Sequence, residues 1–168
     1  TTLSRLLGVL RAIRKSLIIE KWCIDSMVVY NCYTDASTIG EYEYASSGMA
    51  AILVNITDNK LMMSMGRTND VDNCTVAELF AIRLGLFLSK SVVKEGDLLR
   101  ICSDSLSAIE HVEGTVDTEN EDIGEITHFI QKILKTYPCE VQFQWIRGHS
   151  DHPMNDMSDY IAYHHAQG

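Results

Sequence analysis

Four acidic side chains stand where carboxylates could gather around a metal ion, and two of them follow predicted strands. Asp35 comes after an apolar, β-branched stretch that begins at Met27, and Asp104 comes after the strand-like residues 98–102. If these strands are parallel neighbours, both carboxylates emerge at the same edge of the sheet, where ligand sites of mixed α/β sheets collect.

The other two carboxylates come from helical stretches. Glu78 lies among Val76, Ala77, Leu79 and Phe80, on a helix that must pack on the sheet, so its charge is costly to bury unless it is paired or bound to a metal. A fourth acid, Asp159, opens the last helical run. Carboxylates placed in this way could hold hard divalent cations such as Mg²⁺, which takes oxygen ligands and few protein groups. A lone aspartate at a strand end is usually a turn former or a helix cap, so the interpretation depends on the four acids together.

The pattern around these acids predicts the elements that position them. Strands are predicted at residues 27–34, 47–55, 61–65, 98–102 and 141–145, and helices at 75–90, 104–112, 123–134 and from Pro153 onward. Thr75 and Glu78 form a potential capping box at the start of the first helix. The order βββ-α-β-α-α-β-α predicts an α/β fold with a mixed five-stranded sheet, in which three antiparallel strands are followed by parallel ones and helices flank the sheet.

The first 24 residues differ from the rest of the chain. Six apolar residues recur there at helical spacing, namely Leu3, Leu6, Leu7, Leu10, Ile13 and Leu17. The same segment carries five basic residues and one acid. This predicts a basic amphipathic helix at residues 1–24, ahead of a globular domain at residues 25–168. We expect the helix to pack on that domain or on a neighbouring one, and direct phosphate contact by its basic side is the alternative.

Composition limits the function classes. The chain has 168 residues and a net charge of −9, which by itself argues against a polyanionic partner. Its five cysteines are scattered without a CxxC pair, which argues against structural zinc and favours a reducing, intracellular compartment, the cytoplasm or the nucleus. No apolar run approaches the ~18 residues of a membrane span, so no membrane partner is expected.

Four segments together resemble type 1 ribonuclease H. They are YTDAS at 33–37, TVAELFAI at 75–82, CSDS at 102–105 and WIRGHSDHPMNDMSDYIA at 145–162. The resemblance extends over about residues 28–166 and includes the order of strands and helices. It implies an RNase H-like fold, a catalytic domain at 25–168, and metal-dependent endonucleolytic hydrolysis of the RNA strand of RNA/DNA hybrids, which leaves 5′-phosphate and 3′-hydroxyl ends.

The resemblance also assigns roles to residues. It makes metal ligands and catalytic residues of the four acids Asp35, Glu78, Asp104 and Asp159, for two Mg²⁺ ions that Mn²⁺ can replace. It places Glu78 near the 2′-hydroxyl that distinguishes RNA from DNA. His149 matches the histidine of a mobile loop that assists proton transfer or product release. We expect contacts with the hybrid from Ser37, Thr75, Ser105, Arg147 and Asn155. His152 and Asn155 also match residues that order the loop.

The chain departs from many cellular members of this family at one place. Residues 110–125 contain seven acids and no lysine or arginine, where many members have an extra helix and a basic loop that grips the hybrid. In this respect the chain resembles the RNase H domains of reverse transcriptases and retroelements. Weak unaided binding of the hybrid is therefore expected, and other domains of a larger polyprotein are candidate partners.

Two other functions fit the same fold. One is a catalytically weak or inactive RNase H-like module that serves as a spacer or interaction domain, which the loss of a metal-binding acid would mark. The other is a DEDD-type exonuclease, which needs an Asp-x-Glu pair on its first strand. Residues 34–37 read TDAS and lack that pair, and all four acids are present, so the endonuclease is the leading hypothesis.

Overall fold

A computed structural model describes residues 27–149 and 152–168. The predicted helix of residues 1–24 therefore lies outside the described residues. The strands are β1 Val29–Ile39, β2 Ser46–Asn55, β3 Lys60–Asn69, β4 Leu98–Ser103 and β5 Glu140–Trp145. The helices are α1 Cys74–Lys90, α2 Leu106–Glu113, α3 Glu121–Leu134 and α4 Pro153–Gln167, with a short 3₁₀ turn at Tyr42–Tyr44. This is the order that the sequence predicts.

The five strands form one mixed sheet in the order β3-β2-β1-β4-β5. β1 and β2 pair antiparallel, as do β2 and β3, whereas β4 lies parallel to both β1 and β5. The predicted α/β fold, with its mixed five-stranded sheet flanked by helices, is thus confirmed. The central position of β1 next to parallel β4 is what brings the first and third acids to one end of the sheet.

One strand prediction is wrong in a way that matters for the site. The sequence places Asp35 at the end of the first strand, but β1 continues for four more residues to Ile39. It does so because the antiparallel ladder with β2 extends to the pair Ile39 and Ser46, whereas the parallel ladder with β4 stops at Tyr33 and Cys102. Asp35 therefore lies just past the end of the parallel ladder, with rigid backbone on both sides.

Helices pack on both faces of the sheet at glycines. In α1, a Cβ at Gly85 would lie 2.7 Å from Thr34 Cγ2 and 3.0 Å from Cys32 Sγ, so this helix interior needs glycine to approach β1. On the opposite face α4 crosses β2 at Gly48. The larger core under α1 is built from buried aliphatic side chains such as Leu53, Leu79, Ile82, Leu86, Leu99, Ile101 and Ile130.

Gly48→Ala is expected to lower the free energy of unfolding by about 3 kcal/mol, or the Tm by roughly 6–12 °C. A Cβ there would collide with the backbone of α4 at the Ala162 carbonyl oxygen, and backbone yields less easily than a flexible side chain. Thermal unfolding measures the effect. The control is Gly124→Ala in α3, whose Cβ would meet only Thr118 Cγ2 at 3.9 Å; it should raise stability by up to about 1 kcal/mol. A Gly48→Ala variant as stable as the parent chain would contradict the packing.

The helix starts differ from the sequence predictions in three places. Asn73, not Thr75, caps α1, because its side chain accepts a hydrogen bond from the Val76 backbone N–H. The predicted capping box is therefore wrong, and this leaves Glu78 free for another role. Ser105 caps α2, which begins at Leu106 rather than Asp104. The next helix, α3, begins at Glu121 rather than Ile123, so both ends of the acidic stretch 110–125 are helical.

None of the helices in the described ranges combines the length and the apolar character that crossing a membrane requires.

Candidate active site

Three of the predicted metal ligands meet at the carboxyl end of the parallel ladder between β1 and β4. Carboxylate oxygens of Asp35, Glu78 and Asp104 lie within 4.8 Å of one another. Asp35 comes from β1, Glu78 from the second turn of α1, and Asp104 from the residue that follows β4. A strand, a helix packed on the sheet and the end of a neighbouring strand thus hold the three groups in place before any ligand binds.

The Ala36 backbone N–H ties two of these carboxylates together. It donates to Asp35 Oδ1 at 2.9 Å and lies 3.3 Å from Glu78 Oε1. Both side chains are buried, at 4% and 9% exposure respectively. The second oxygen of Glu78, Oε2, is buried without a hydrogen-bond partner among the described residues. Because a buried, unpartnered carboxylate oxygen is costly, this atom fits a site whose missing partner is a cation.

Burial and mutual repulsion raise the pKa values of the whole cluster. Burial, and then the charges of Asp104 and Asp159, raise the pKa of Asp35 to about 7. Burial, and then the charge of Asp35, raise the pKa of Glu78 well above its usual range. The pKa of Asp104 is raised by burial and by Asp159. The metal-free cluster is therefore not fully ionised at neutral pH, and a divalent cation would favour its ionised form.

Asp159 and His149 lie close enough for their charges to act on the cluster. Asp159, in α4, raises the pKa of both Asp35 and Asp104, and the charge of His149 lowers the pKa of Asp104. His149 is exposed and has a positive φ of 52° in the turn that follows β5. The structure thus brings all four predicted acids and the predicted histidine to one end of the sheet, although the tight cluster contains only the first three acids.

The end of β5 and the loop that follows it each contact Asp104. The Trp145 indole Nε1 donates to the Asp104 backbone carbonyl at 3.0 Å. A Cβ at Gly148 would lie 2.8 Å from Asp104 Oδ2, so the backbone of this loop approaches the carboxylate itself. Sequence reasoning assigned no role to Trp145. Its signal was an indole at a strand end close to a predicted catalytic loop, where its N–H needs an acceptor.

Gly148→Ala is expected to lower hybrid cleavage by roughly 10–100-fold, with a Tm within about 2 °C of the parent chain. The new methyl group would press on Asp104 Oδ2 and displace either the carboxylate or the loop that carries His149. Single-turnover cleavage rates and thermal unfolding measure the two effects. Gly124→Ala is the matched control, because Gly124 lies on α3, which contributes no residue to the cluster of Asp35, Glu78 and Asp104. An unchanged cleavage rate would mean that the approach of Gly148 to Asp104 does not matter for catalysis.

The candidate substrate-binding residues occupy different environments. Ser37 lies on β1 two residues beyond Asp35, and Arg147 is exposed on the loop that contacts Asp104. Thr75 lies in the first turn of α1, with its Oγ1 3.5 Å from Ser107 Oγ at the start of α2. These three positions lie on separate elements, and their contacts with a hybrid stay predictions.

The other two candidates are a helix cap and a buried amide. Ser105 Oγ accepts a hydrogen bond from the Ala108 backbone N–H as the cap of α2. Asn155 is 2% exposed in the first turn of α4, next to His152, whose ring lies 4.8 Å from the buried Tyr33 ring. Burial of Asn155 favours a role in ordering this end of α4 over direct contact with substrate.

Comparison with known proteins identifies the family to which this fold and site belong. The family model described as RNase H matches residues 27–167. The chain belongs to the RNase H family. The sequence-based resemblance to type 1 ribonuclease H is thereby confirmed. No curated protein sequence matches the chain.

Solved structures of RNases H share the fold at low sequence identity. RNase H1 from the halophilic archaeon Halobacterium salinarum NRC-1 superposes with a TM-score of 0.69 at 15% identity, over 83% of this chain and 98% of that one. LC11-RNase H1 in complex with an RNA/DNA hybrid gives 0.66 at 15% identity, over 82% and 96%. The prototype foamy virus protease-reverse transcriptase gives 0.64 at 14% identity, over 85% of this chain and 21% of that one. The fold thus occurs both as a separate RNase H1 and as a part of a much longer viral enzyme.

Proposed function

We propose that this chain is an endonuclease that hydrolyses the RNA strand of RNA/DNA hybrids by a two-metal-ion mechanism, leaving 5′-phosphate and 3′-hydroxyl ends. The observation that carries the proposal is the buried cluster of Asp35, Glu78 and Asp104, whose carboxylate oxygens lie within 4.8 Å of one another. Membership of the RNase H family fits the same reaction.

The donor set of this site fits metal binding better than it fits a purely structural role for the acids. The site offers only carboxylate oxygens, the ligands that Mg²⁺ prefers, and one buried Glu78 oxygen lacks any hydrogen-bond partner within the described ranges. Asp35, Glu78, Asp104 and Asp159 would hold the ions. When bound, Mg²⁺ or Mn²⁺ supplies an activated water and stabilises the charge that develops on the leaving oxygen.

The protein groups then have separate tasks. The Ala36 N–H fixes the orientation of the Asp35 and Glu78 carboxylates through its contacts at 2.9 and 3.3 Å, so little reorganisation is needed when the site is occupied. The Glu78 carboxylate also accepts a hydrogen bond from the ribose 2′-hydroxyl next to the scissile phosphate, and this contact selects RNA over DNA. His149, exposed on the loop beside Asp104, moves a proton between its imidazole and the 3′ oxygen that leaves.

Arg147 is the basic side chain that we assign to the phosphate backbone near the cluster. It precedes Gly148, the residue whose backbone approaches Asp104. Because residues 110–125 contain seven acids and no lysine or arginine, we expect weak binding of the isolated chain to a hybrid, with only a shallow dependence on salt.

The substrate class is tested by a panel of duplexes of one sequence, labelled at the 3′ ends of their strands: RNA/DNA hybrid, double-stranded RNA and double-stranded DNA, each with Mg²⁺. The proposal predicts cleavage of only the RNA strand of the hybrid, with fragments that a 5′-phosphate-dependent exonuclease degrades. Cleavage of double-stranded RNA at a similar rate, or fragments with 5′-hydroxyl ends, would contradict it. No cleavage of any duplex, even with Mn²⁺, would favour the inactive spacer module.

A further inference from the structure

Strand β3 lies at one edge of the sheet, and one side of its backbone faces no other strand among the described residues. The sheet order ends at β3, and the ladder with β2 runs through ten consecutive pairs without a bulge. Residues 61–66 contain neither a charged side chain nor a proline. Soluble proteins usually protect an edge strand by charges, a proline, a bulge or short length. The middle of β3 has none of these protections.

The side chains along this edge are apolar and exposed. Leu61, Met62, Met63 and Met65 are each between 42% and 45% exposed. Because side chains alternate along a strand, Leu61, Met63 and Met65 lie on one face of the sheet and Met62 lies on the other. A contiguous exposed apolar surface marks an interaction site. The edge therefore offers a partner strand both hydrogen-bonding groups and apolar contacts.

The hydrogen bonds to β2 determine which backbone groups of β3 point away from the sheet. The Asp70 N–H donates to the Ala45 carbonyl at 3.0 Å, one step beyond the pair of Asn69 with Ser46 that ends the ladder. Because hydrogen-bonded and non-hydrogen-bonded pairs alternate in an antiparallel ladder, the even-numbered residues of β3 bond to β2. The N–H and C=O groups of residues 61, 63, 65, 67 and 69 therefore point outward.

One antiparallel register with a second copy of β3 pairs all five of these outward-facing residues. It is centred on Met65, which faces Met65 of the second copy, while Met63 faces Arg67 and Leu61 faces Asn69. Any other centre places at least one outward-facing residue beyond the end of the partner strand, since β3 spans only residues 60–69. The Met65 register thus gives the largest number of backbone hydrogen bonds between the two copies.

The same register matches charges at both ends of the strand pair. Lys60 stands opposite Asp70 of the second copy, and two-fold symmetry repeats this ion pair at the other end. Both side chains are exposed. The other charge on β3, Arg67, faces Met63 and no cation. Opposite charges across a strand pair are favourable, and like charges directly opposite are not. Backbone geometry and charge therefore favour the same register independently.

We propose that two copies of this chain associate by antiparallel pairing of their β3 strands, centred on Met65, so that the two five-stranded sheets join into one. This two-fold pairing uses both β3 edges and stops at the dimer, whereas pairing of β3 with β5 of another copy would continue into rings or fibres. The interface covers Leu61, Met63 and Met65. It includes none of the four acids of the active site, so it stands independently of the proposed function.

Analytical ultracentrifugation of the full chain between about 1 and 100 µM tests the association. The expected mass rises with concentration towards twice 18.9 kDa, without larger species. Met65→Lys would set two lysines against each other at the two-fold axis, so the dimer Kd should rise by about 30-fold or more. A chain that stays monomeric at every concentration would overturn the proposal, as would species that grow beyond the dimer.

A charge swap tests the register. Lys60→Glu would set two carboxylates against each other at each end of the strand pair, so the dimer Kd should rise by about tenfold. Adding Asp70→Lys to the same chain should restore the parent value. Lys132→Glu, the same change of charge at an exposed position on α3, is the matched control and should leave the Kd unchanged. Equal weakening by the single and the double change would overturn the proposed register.

Disulfide formation between single new cysteines reads the register directly. In Met65→Cys the two thiols face each other, with Cα atoms about 5.5 Å apart, which lies within the range of a disulfide. In Ser64→Cys the thiols occupy diagonal positions with Cα atoms about 7–8 Å apart. Mild oxidation and peptide mass spectrometry, which also separates links through the native cysteines, should give a 65–65 link and no 64–64 link. A 64–64 link without a 65–65 link would overturn the proposal.

Discussion

Glu78→Gln is expected to reduce Mg²⁺-dependent cleavage of the RNA strand by about 10³-fold, which corresponds to ~4 kcal/mol of transition-state stabilisation. The amide keeps the size and shape of the side chain but removes the negative charge from the buried Oε2 position, which lacks a hydrogen-bond partner in the described structure. The loss should appear in kcat rather than in folding. Single-turnover cleavage of a labelled hybrid at saturating Mg²⁺ measures it.

The same substitution is expected to stabilise the chain when no metal is bound. Its neutral amide ends the repulsion between Glu78 and the nearby Asp35, the charge that together with burial raises the pKa of Glu78. We expect the Tm in EDTA at pH 8 to rise by about 3–8 °C. Glu119→Gln, an exposed acid away from the cluster, is the control and should change neither cleavage nor Tm. A Glu78→Gln variant that cleaves at more than a tenth of the parent rate would contradict the assignment of this residue.

The second large effect is a loss of stability of the metal-free chain as the pH rises. The pKa of Asp35 is about 7 in the folded chain, against 3.8 for a free aspartate side chain, because of burial and the charges of Asp104 and Asp159. Between these pH values the folded chain binds more protons than the unfolded chain, so the free energy of unfolding falls with rising pH. The pKa values of Glu78 and Asp104 are raised in the same direction. We expect a loss of about 2 kcal/mol between pH 5 and pH 8.

Urea unfolding in EDTA across this pH range measures the loss, with Asp35→Asn as the matched variant. Its titration curve should be flatter, because the group with the raised pKa is gone. Added Mg²⁺ should stabilise the parent chain most at pH 8, where the carboxylates are ionised and able to bind it. A metal-free chain that becomes more stable from pH 5 to pH 8, with no difference between parent and Asp35→Asn, would contradict the electrostatic description of the cluster.

Much of the fold and the site could be predicted because local pattern and tertiary structure agree. The strand-like runs and the helical spacing gave the element order, and the position of Asp104 after a buried strand predicted its place at the sheet edge. Glu78 was the most informative acid, since a carboxylate on a helix that must be buried needs a partner. Asp159 was a candidate from its place at the start of the last helical run, and the resemblance to type 1 ribonuclease H added His149 by its place in the segment 145–162.

The predictions that failed depended on contacts between distant parts of the chain. The end of β1 is set by ten paired residues on β2, which the composition of β1 alone does not reveal. Asn73 and Thr75 are both good capping residues. Asn73 caps the helix, and Glu78, which a capping box with Thr75 would need, accepts a hydrogen bond from the Ala36 N–H instead. A glycine inside a helix is unfavourable by itself, but Gly85 is required in α1 because the helix lies directly on Cys32 and Thr34. Trp145 donates to a backbone carbonyl, and its indole in the sequence indicates only that an acceptor is needed, not which group supplies it.

The net charge of −9 first argued against a nucleic-acid partner. Many of the acids that contribute to it lie on two surfaces of the structure. Part of it is the carboxylate cluster, where bound cations would reverse the local potential. Another part lines a groove between α1 and α3, where Asp122 and Glu125 belong to the acidic stretch 110–125. The cluster would meet the scissile phosphate through its bound cations, and the acids of the groove need not lie against the hybrid, so the acidity of the chain does not oppose the proposed substrate.

The most direct test compares the parent chain with Asp104→Asn on one RNA/DNA hybrid labelled on the RNA strand, with Mg²⁺, with Mn²⁺ and with EDTA. Asp104 is the residue that the cluster, Asp159 and the loop at Gly148 all approach. A carboxylate metal centre predicts cleavage by the parent chain with either metal, none in EDTA, and at least ~10³-fold slower cleavage by Asp104→Asn. Metal-dependent cleavage of the RNA strand that survives Asp104→Asn would contradict this assignment of the active site.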